Sequence, residues 1–218
     1  NNHFKNLPYG VFHTIGQSGR HQNNMTVHSN LFENMGYSND NWAFAIILCG
    51  KEGLEIPPKM SNFNFFNNTI TSGNPGQLVG GIHIQKVGDI SNIQIINNIV
   101  LNCSYPFYIF NGTGKIQNLV IKNNLLFENG NNNQINHLDY VSSYTYSNNI
   151  IADPHFVSTD DFRLGAGSPA INSGTNVGLH YYGSAPDIGA FETHENEVHY
   201  NQLPIVNISS PIKGETYD

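Results

Sequence analysis

The sequence predicts an all-β protein, a right-handed parallel β-helix of about six coils with a C-terminal cap. The first observation is an asparagine that returns at the end of a short apolar strand, at Asn2, Asn30, Asn68, Asn98, Asn124 and Asn149. The intervals of 28, 38, 30, 26 and 25 residues each suit one coil of a solenoid. An asparagine tolerates the left-handed backbone of a sharp bend, and its amide can bond to the asparagine one coil away. We therefore expect an asparagine ladder through the stack.

The second observation is the apolar pair that follows most of these asparagines, as in Leu31-Phe32, Ile99-Val100 and Leu125-Leu126. The third is composition: 34 of the 218 residues are asparagine and 11% are charged. Helix-rich proteins need more Glu, Lys and Ala on exposed faces, whereas this mixture suits short strands and many turns. A net charge of −7 argues against a nucleic-acid partner, and no apolar run reaches the length of a membrane span.

Cys49 and Cys103 lie outside any metal-binding spacing. We interpret them as two small buried apolar residues, with a disulfide as the alternative.

The chain divides into four segments. Residues 1–151 carry the coils, and each asparagine strand follows another predicted strand, at 11–16, 43–50, 81–88, 106–112 and 137–142. Residues 152–192 contain Pro-anchored turns and no asparagine strand, so we interpret them as a cap over the last open coil. Residues 193–203 are a polar linker, and 204–218 is the truncated start of a β-sandwich module. Because the repeat begins at Asn1-Asn2, we expect further N-terminal coils or another chain at that edge.

The segment DPHFVSTDDFRLGAGSPAINSG…APDIGAFE (153–192) resembles the ending of many secreted bacterial right-handed parallel β-helix proteins, the pectate-lyase-like superfamily. The tail PIVNISSPIKGETY resembles the opening of immunoglobulin-like modules that follow secreted carbohydrate-active enzymes. This resemblance implies a protein outside the cell or on its surface, with a polysaccharide as its partner. Neither segment carries catalytic residues, so the implied function is a class: polysaccharide lyase, glycoside hydrolase or surface protein.

Side-chain alternation in GIHIQKVG selects the first candidate site residues. Ile82 and Ile84 are predicted to point inward, so His83 and Gln85 point outward, and Lys86 lies where the strand bends away. We expect two further residues, His13 and Tyr108, to occupy comparable outward positions and to form a polar column with His83. The alternative is that these are ordinary exposed polar residues.

Arg20 is the next candidate, in a turn beside His21. A guanidinium suits a uronate carboxylate or a sulfate, although a solvated turn arginine is an equal alternative. The second arginine, Arg163, is expected to pair with Asp161, Asp153 or Asp187 within the cap. Tyr9, Trp42, Tyr105 and Tyr108 are candidates for stacking on sugar rings. The alternative is that Trp42 and Tyr105 cover coil edges.

We expect a polysaccharide lyase that acts by β-elimination on an acidic, uronate-containing glycan. Arg20 would neutralise the carboxylate, and Lys86 or His83 would serve as the base, with His13 nearby. Calcium is an alternative neutraliser, but no Asp-x-Asp cluster appears. A glycoside hydrolase would need its paired carboxylates in missing N-terminal coils. A non-catalytic carbohydrate-binding or adhesive surface module is the remaining alternative.

Overall fold

The structure is a computed structural model that describes residues 2–7, 9–15, 19, 21–36, 43–50, 53–55, 58–72, 79–85, 87–130, 133 and 135–194. For residues 9, 12–15, 50 and 79 it describes the backbone alone. The predicted linker beyond residue 194 and the segment 204–218 lie outside the described residues.

Three parallel sheets form the body of the protein, and we name them A, B and C. Sheet A contains β1 (His3–Lys5), β4 (Leu31–Met35), β7 (Thr69–Ser72), β10 (Ile99–Leu101), β13 (Leu125–Phe127) and β15 (Ile150–Ile151). Sheet B contains β2 (Tyr9–Ile15), β5 (Ala43–Gly50), β8 (Val79–Gln85) and β11 (Tyr105–Phe110). Sheet C contains β3 (His21–His28), β6 (Lys59–Phe66), β9 (Gly88–Ile96), β12 (Gly114–Lys122) and β14 (Tyr144–Ser147).

The chain visits sheets B, C and A in turn, which confirms the predicted parallel β-helix. Among the described residues, four coils carry one strand in each sheet, from β2-β3-β4 to β11-β12-β13, and β1 and β14-β15 add further strands at the two ends of the stack. The expected number of about six counted every asparagine as a coil. The predicted strand 137–142 is wrong: His137 has φ 62°, and Leu138–Tyr140 form a 3-10 turn. Isolated bridges at Asn136 and Val141 continue the coil there.

Stacked apolar rows fill the space between the sheets. One row on sheet B joins Ile46, Ile82 and Phe107 as Cα partners in adjacent coils. A row on sheet C joins Phe63, Ile93 and Leu119. All of these side chains are at most 1% exposed. Burial of such rows is the main stabilising contribution to a solenoid, because each coil covers the apolar face of its neighbour.

The predicted asparagine ladder is present at all six positions. Nδ2 of each asparagine donates to Oδ1 of the next, and the five distances run from 2.9 to 3.1 Å along Asn2, Asn30, Asn68, Asn98, Asn124 and Asn149. The left-handed bend falls one residue earlier, at Ser29, Asn67, Asn97, Asn123 and Asn148, all with φ between 48° and 58°. The sequence predicts that one asparagine makes both the bend and the bond between coils. In the structure, two adjacent residues share these roles: the first makes the bend and the second bonds between coils.

A second ladder runs along the outside of sheet C, six residues before the first. Asn62 donates to Asn24, Asn92 to Asn62, and Asn118 to Asn92, at 3.0 to 3.1 Å. Ser143 Oγ completes it by donating to Asn118 Oδ1 at 3.1 Å. The four asparagines have φ between 56° and 65°, so they bend the strands of sheet C at one level.

The segment after β15 packs against the side of sheet A. It begins with an antiparallel hairpin of β16 (Phe156–Ser158) and β17 (Asp161–Leu164). Leu164, Ala170 and Ile188 form a second apolar cluster with outward residues of sheet A, Ile99, Leu101 and Leu125. The expected pair of Arg163 with Asp161 is confirmed, with Nε 2.8 Å from Oδ1. Hydrogen bonding to Arg163 lowers the pKa of Asp161.

The DIGAFE motif fixes this segment to the coils. Asp187 is buried, and its carboxylate accepts bonds from Asn172 N at 2.7 Å and from Thr193 N at 2.6 Å. Gly189 N donates to Asn97 O at 2.8 Å, and Ala190 N donates to Thr69 Oγ1 at 3.0 Å. These contacts reach back several coils, along the flank of the stack.

Closure of the last coil by residues 152–192 stays a prediction. In that coil, Tyr144 and Tyr146 are the Cα partners of the buried Leu119 and Ile121, and Ile151 is the partner of the buried Leu126. All three are exposed, by 51%, 43% and 65%. Residues of this segment pack beside sheet A.

Cys49 and Cys103 are both buried and unpaired. Burial raises the pKa of the Cys103 thiol to about 12. In the described part of the chain, no helix is both long and apolar enough to cross a membrane.

Candidate functional site

An aromatic cluster lies on the outer face of strands β5, β8 and β11 of sheet B, and we call it the aromatic surface. Its members are Phe44, His83, Tyr105, Tyr108, Phe110, His137 and Tyr140. Three adjacent strands, β5, β8 and β11, supply the first five, and the 3-10 turn region supplies the last two. The surface therefore spans coils that lie side by side.

The register of sheet B explains this grouping. Ile47, His83 and Tyr108 are Cα partners in one row, and their neighbours Ile46, Ile82 and Phe107 form the inward row beside it. Phe44 is the partner of Gly80, where an added Cβ would come within about 2 Å of the Phe44 ring. Gly80 thus leaves the space in which the Phe44 ring lies 4.5 Å from the His83 ring.

His83 forms the buried base of the surface. It is 6% exposed, with the rings of Tyr108 and Phe110 at 5.5 and 6.0 Å. Burial lowers the pKa of His83 to about 4, so its imidazole is neutral at neutral pH. A base with so low a pKa removes a proton weakly near pH 7.

Tyr108 lies at the centre of the surface and is half-buried. Its ring is 5.1 Å from Tyr105, 6.3 Å from Phe110 and 6.1 Å from His137. Burial raises the pKa of Tyr108, and the neighbouring Tyr105 and Tyr140 add to the shift, so its phenol stays protonated as a hydrogen-bond donor. An aromatic body with a polar tip suits a ligand that has both C–H faces and hydroxyl groups.

His137 and Tyr140 extend the surface beyond the strands. Asn136 N donates to Phe107 O, and Ile109 N donates to Asn136 O, both at 3.2 Å, which ties this segment to β11. The left-handed residue His137 and the 3-10 turn then bring the two rings together, stacked at 4.7 Å and 13°. Both residues are partly exposed.

The predicted site residues have different locations. His83 and Tyr108 are neighbours, and Gln85 is half-buried on the same strand as His83, opposite Phe110. His13 is not in their row: its Cα partner is Leu48, whereas Phe12 is the partner of Ile47. The predicted column is therefore out of register by one residue at His13. His21 is exposed at the start of β3 on sheet C, and Arg20, Trp42 and Lys86 lie outside the described residues.

Sequence reasoning missed Phe44, Phe110, His137 and Tyr140. The near-continuous apolar run of β5 was the available signal for Phe44, because such strands are buried on both faces. His137 and Tyr140 were assigned to a strand, which hid their joint position at one turn.

No group of three or more His, Cys, Asp or Glu side chains able to hold a metal ion occurs among the residues that the structure describes. Comparison of the chain with known protein families, with curated proteins and with solved structures gave no match.

Proposed function

We propose that this chain is part of a polysaccharide-active β-helix protein that holds an acidic, uronate-containing glycan on the outer face of sheet B. The aromatic surface carries this proposal. Tyr105 and Tyr108 on β11 and Tyr140 in the following coil present partly exposed rings, and such rings pack against the C–H faces of sugars. Strands lie about 4.8 Å apart, so several coils together match the length of an extended glycan.

The reaction that we propose is β-elimination, with the chain as a polysaccharide lyase. A base removes the proton at C5 of the uronate, the C4–O bond breaks, and a C4–C5 double bond forms as the C4 oxygen leaves. Arg20 neutralises the uronate carboxylate, and Lys86 is the base. In the sequence, each stands between a strand of sheet B and a strand of sheet C. His83 supports the floor of the surface, because burial keeps its imidazole neutral.

The resemblance of residues 153–192 to the ending of pectate-lyase-like proteins supports this proposal and a location outside the cell. In the second candidate function, a carbohydrate-binding or adhesive module, the glycan is held without cleavage. The burial of His83 favours that candidate, because it removes one predicted base from the exposed face.

The test has a binding arm and a reaction arm on the whole chain. Affinity electrophoresis with alginate, pectate and a sulfated uronate glycan measures binding, and ultraviolet absorbance of the unsaturated uronate measures cleavage. Tyr108→Ala should weaken retention by at least about tenfold. Tyr144→Ala removes an exposed tyrosine on sheet C and should leave it unchanged.

Absorbance growth that is lost in Arg20→Ala or Lys86→Ala supports the lyase. Retention without absorbance growth assigns the chain to the binding module and overturns the reaction. If no glycan is retained, or if Tyr108→Ala and Tyr144→Ala behave alike, the aromatic surface is not a glycan site.

A further inference from the structure

A cavity of about 550 Å³ lies between sheet A and the β16–β17 hairpin. We call it the side pocket, and its lining includes Glu33, Asn34, Asn102, Phe127, Asp153 and Phe162. Its volume falls in the range of roughly 300–1,000 Å³ that small-molecule sites occupy. The side pocket belongs to sheet A, whereas the aromatic surface belongs to sheet B.

Apolar side chains from both walls line part of the side pocket. Leu101 and Phe127 come from sheet A, and Phe156 and Phe162 come from the hairpin. The two hairpin rings meet edge to face at 5.2 Å. Because Phe127, Phe156 and Phe162 are only partly buried, each keeps apolar surface available to a ligand.

The remaining lining is rich in uncharged hydrogen-bonding groups. Asn34 and Asn102 supply amides, and Thr71, Ser158 and Thr159 supply hydroxyls. Glu33 and Asp153 add carboxylates, which accept bonds. Adjacent hydroxyl groups on a ring need such a mixture of donors and acceptors, while the C–H face of the same ring needs apolar contact.

The coil side of the side pocket is held in place before any ligand arrives. Glu33 accepts from His3 Nε2 at 2.6 Å and pairs with Lys5 Nζ at 2.7 Å, and its side chain is 12% exposed. Asn34 N donates to Thr71 Oγ1 at 3.0 Å. Here the pairing of β4 with β7 shifts register between Phe32 and Met35, and Asn34 has φ 54°. Bulges of this kind re-aim side chains beside functional sites.

The charges at the side pocket select against an acidic ligand. Lys5 offsets the charge of Glu33, which leaves Asp153 in the wall and Asp160 in the hairpin turn. A uronate or a phosphate would meet like charge there. We propose that the side pocket binds a neutral sugar residue, as a second site whose existence does not depend on the aromatic surface.

The experiment follows backbone amide resonances of the whole chain by NMR during titration. The probes are the methyl glycosides of glucose, galactose, mannose and xylose, with digalacturonate as the acidic comparison. At least one neutral glycoside should shift the amide resonances of Asp153, of residues 155–162, and of Asn34 and Asn102. Digalacturonate should leave the chemical shifts of these amides unchanged.

Thr159→Trp and Val157→Trp form the matched pair. Thr159 is exposed and lines the side pocket, so an indole there should fill it and weaken binding by at least about tenfold. Val157 is 56% exposed on the same hairpin and does not line the side pocket, so its variant should bind as the parent does.

Three results overturn the proposal: no neutral glycoside shifts these amides, Thr159→Trp binds as well as Val157→Trp, or digalacturonate is preferred. Tyr108→Ala separates the two sites, because it should weaken glycan retention at the aromatic surface and leave the chemical-shift changes at the side pocket as in the parent.

Discussion

Asn98 Nδ2 donates a hydrogen bond of 3.0 Å to Asn124 Oδ1, and the Asn98 backbone N–H donates to the same oxygen at 2.9 Å. Each interior asparagine of the ladder thus accepts twice from one neighbouring coil and donates twice to the other. Asn98 Nδ2 also donates to Phe65 O at 2.8 Å, which joins the ladder to sheet C. A polar network of this kind is stable inside an apolar core because its groups are satisfied.

We predict that Asn98→Ala lowers the free energy of unfolding by about 3 kcal/mol, because two donors of Asn68 and the carbonyl of Phe65 lose a buried partner. Chemical denaturation measures the change. Asn92→Gly is the control: it removes a member of the exposed ladder and keeps a residue that tolerates the φ of 56°. Its loss should be below about 1 kcal/mol, since water replaces the exposed bond. Equal losses in the two variants would contradict a special role for the buried ladder.

The sequence predicts all six positions of the inner ladder because one residue type recurs beside each bend, although the bend itself falls one residue earlier. The outer ladder carries an equally regular signal, since Asn24, Asn62, Asn92 and Asn118 each stand six residues before an inner asparagine. Alternation predicts the adjacency of His83 and Tyr108. It fails for His13, because the row that a residue joins depends on pairing between coils and not on its place within a short motif. The side pocket needs the contact of a distant hairpin with sheet A, and no local pattern specifies that contact.

Acidification should destabilise the protein through His83. Its pKa is lowered from 6.5 to about 4 in the folded state, so the unfolded chain takes up the proton first. The contribution of neutral His83 to the free energy of unfolding is fully present above about pH 6.5. It is lost as the pH falls towards about 4, by about 3 kcal/mol in all. His83→Phe should remove this part of the pH dependence in thermal unfolding. The control is His28→Phe, at an exposed position on β3, in which the unfolding temperature should change with pH as it does in the parent. The assignment to His83 would be refuted if His83→Phe also showed the pH dependence of the parent.

The opposite pH dependence is expected from Glu192. Burial raises its pKa to about 7, and the charge of Asp187 adds to the shift, although bonds from Asp187 N and Tyr182 N oppose it. The contribution of protonated Glu192 to the free energy of unfolding is therefore fully present below about pH 4.5, and it is lost as the pH rises through about 7. Glu192→Gln should be more stable than the parent at alkaline pH and equal to it near pH 4.5, as measured by thermal unfolding. Glu55→Gln, at an exposed position, controls for the loss of one charge, and an equal gain in that variant would count against the prediction.

Gly189 permits the close approach of the C-terminal segment to sheet A. An added Cβ would lie 2.7 Å from Ile99 Cδ1 and 2.9 Å from Thr69 Oγ1, at a φ of +105°. Gly189→Ala should therefore weaken the contact of 153–193 with the coils by about 2 kcal/mol or more, since crowding adds to backbone strain. Faster proteolysis within this segment, with the coils still intact, is the expected observation.

Gly167→Ala separates crowding from strain, because Gly167 has a φ of +81° and no atom lies within 4 Å of an added Cβ. Gly167→Ala should therefore be destabilised by the backbone strain alone, by about 1 kcal/mol. If the two variants are cleaved at the same rate, the packing of Gly189 against Ile99 does not hold the segment. If Gly189→Ala also exposes the coils to cleavage, the segment stabilises the whole stack, because its contacts with Thr69 and Asn97 join separate coils.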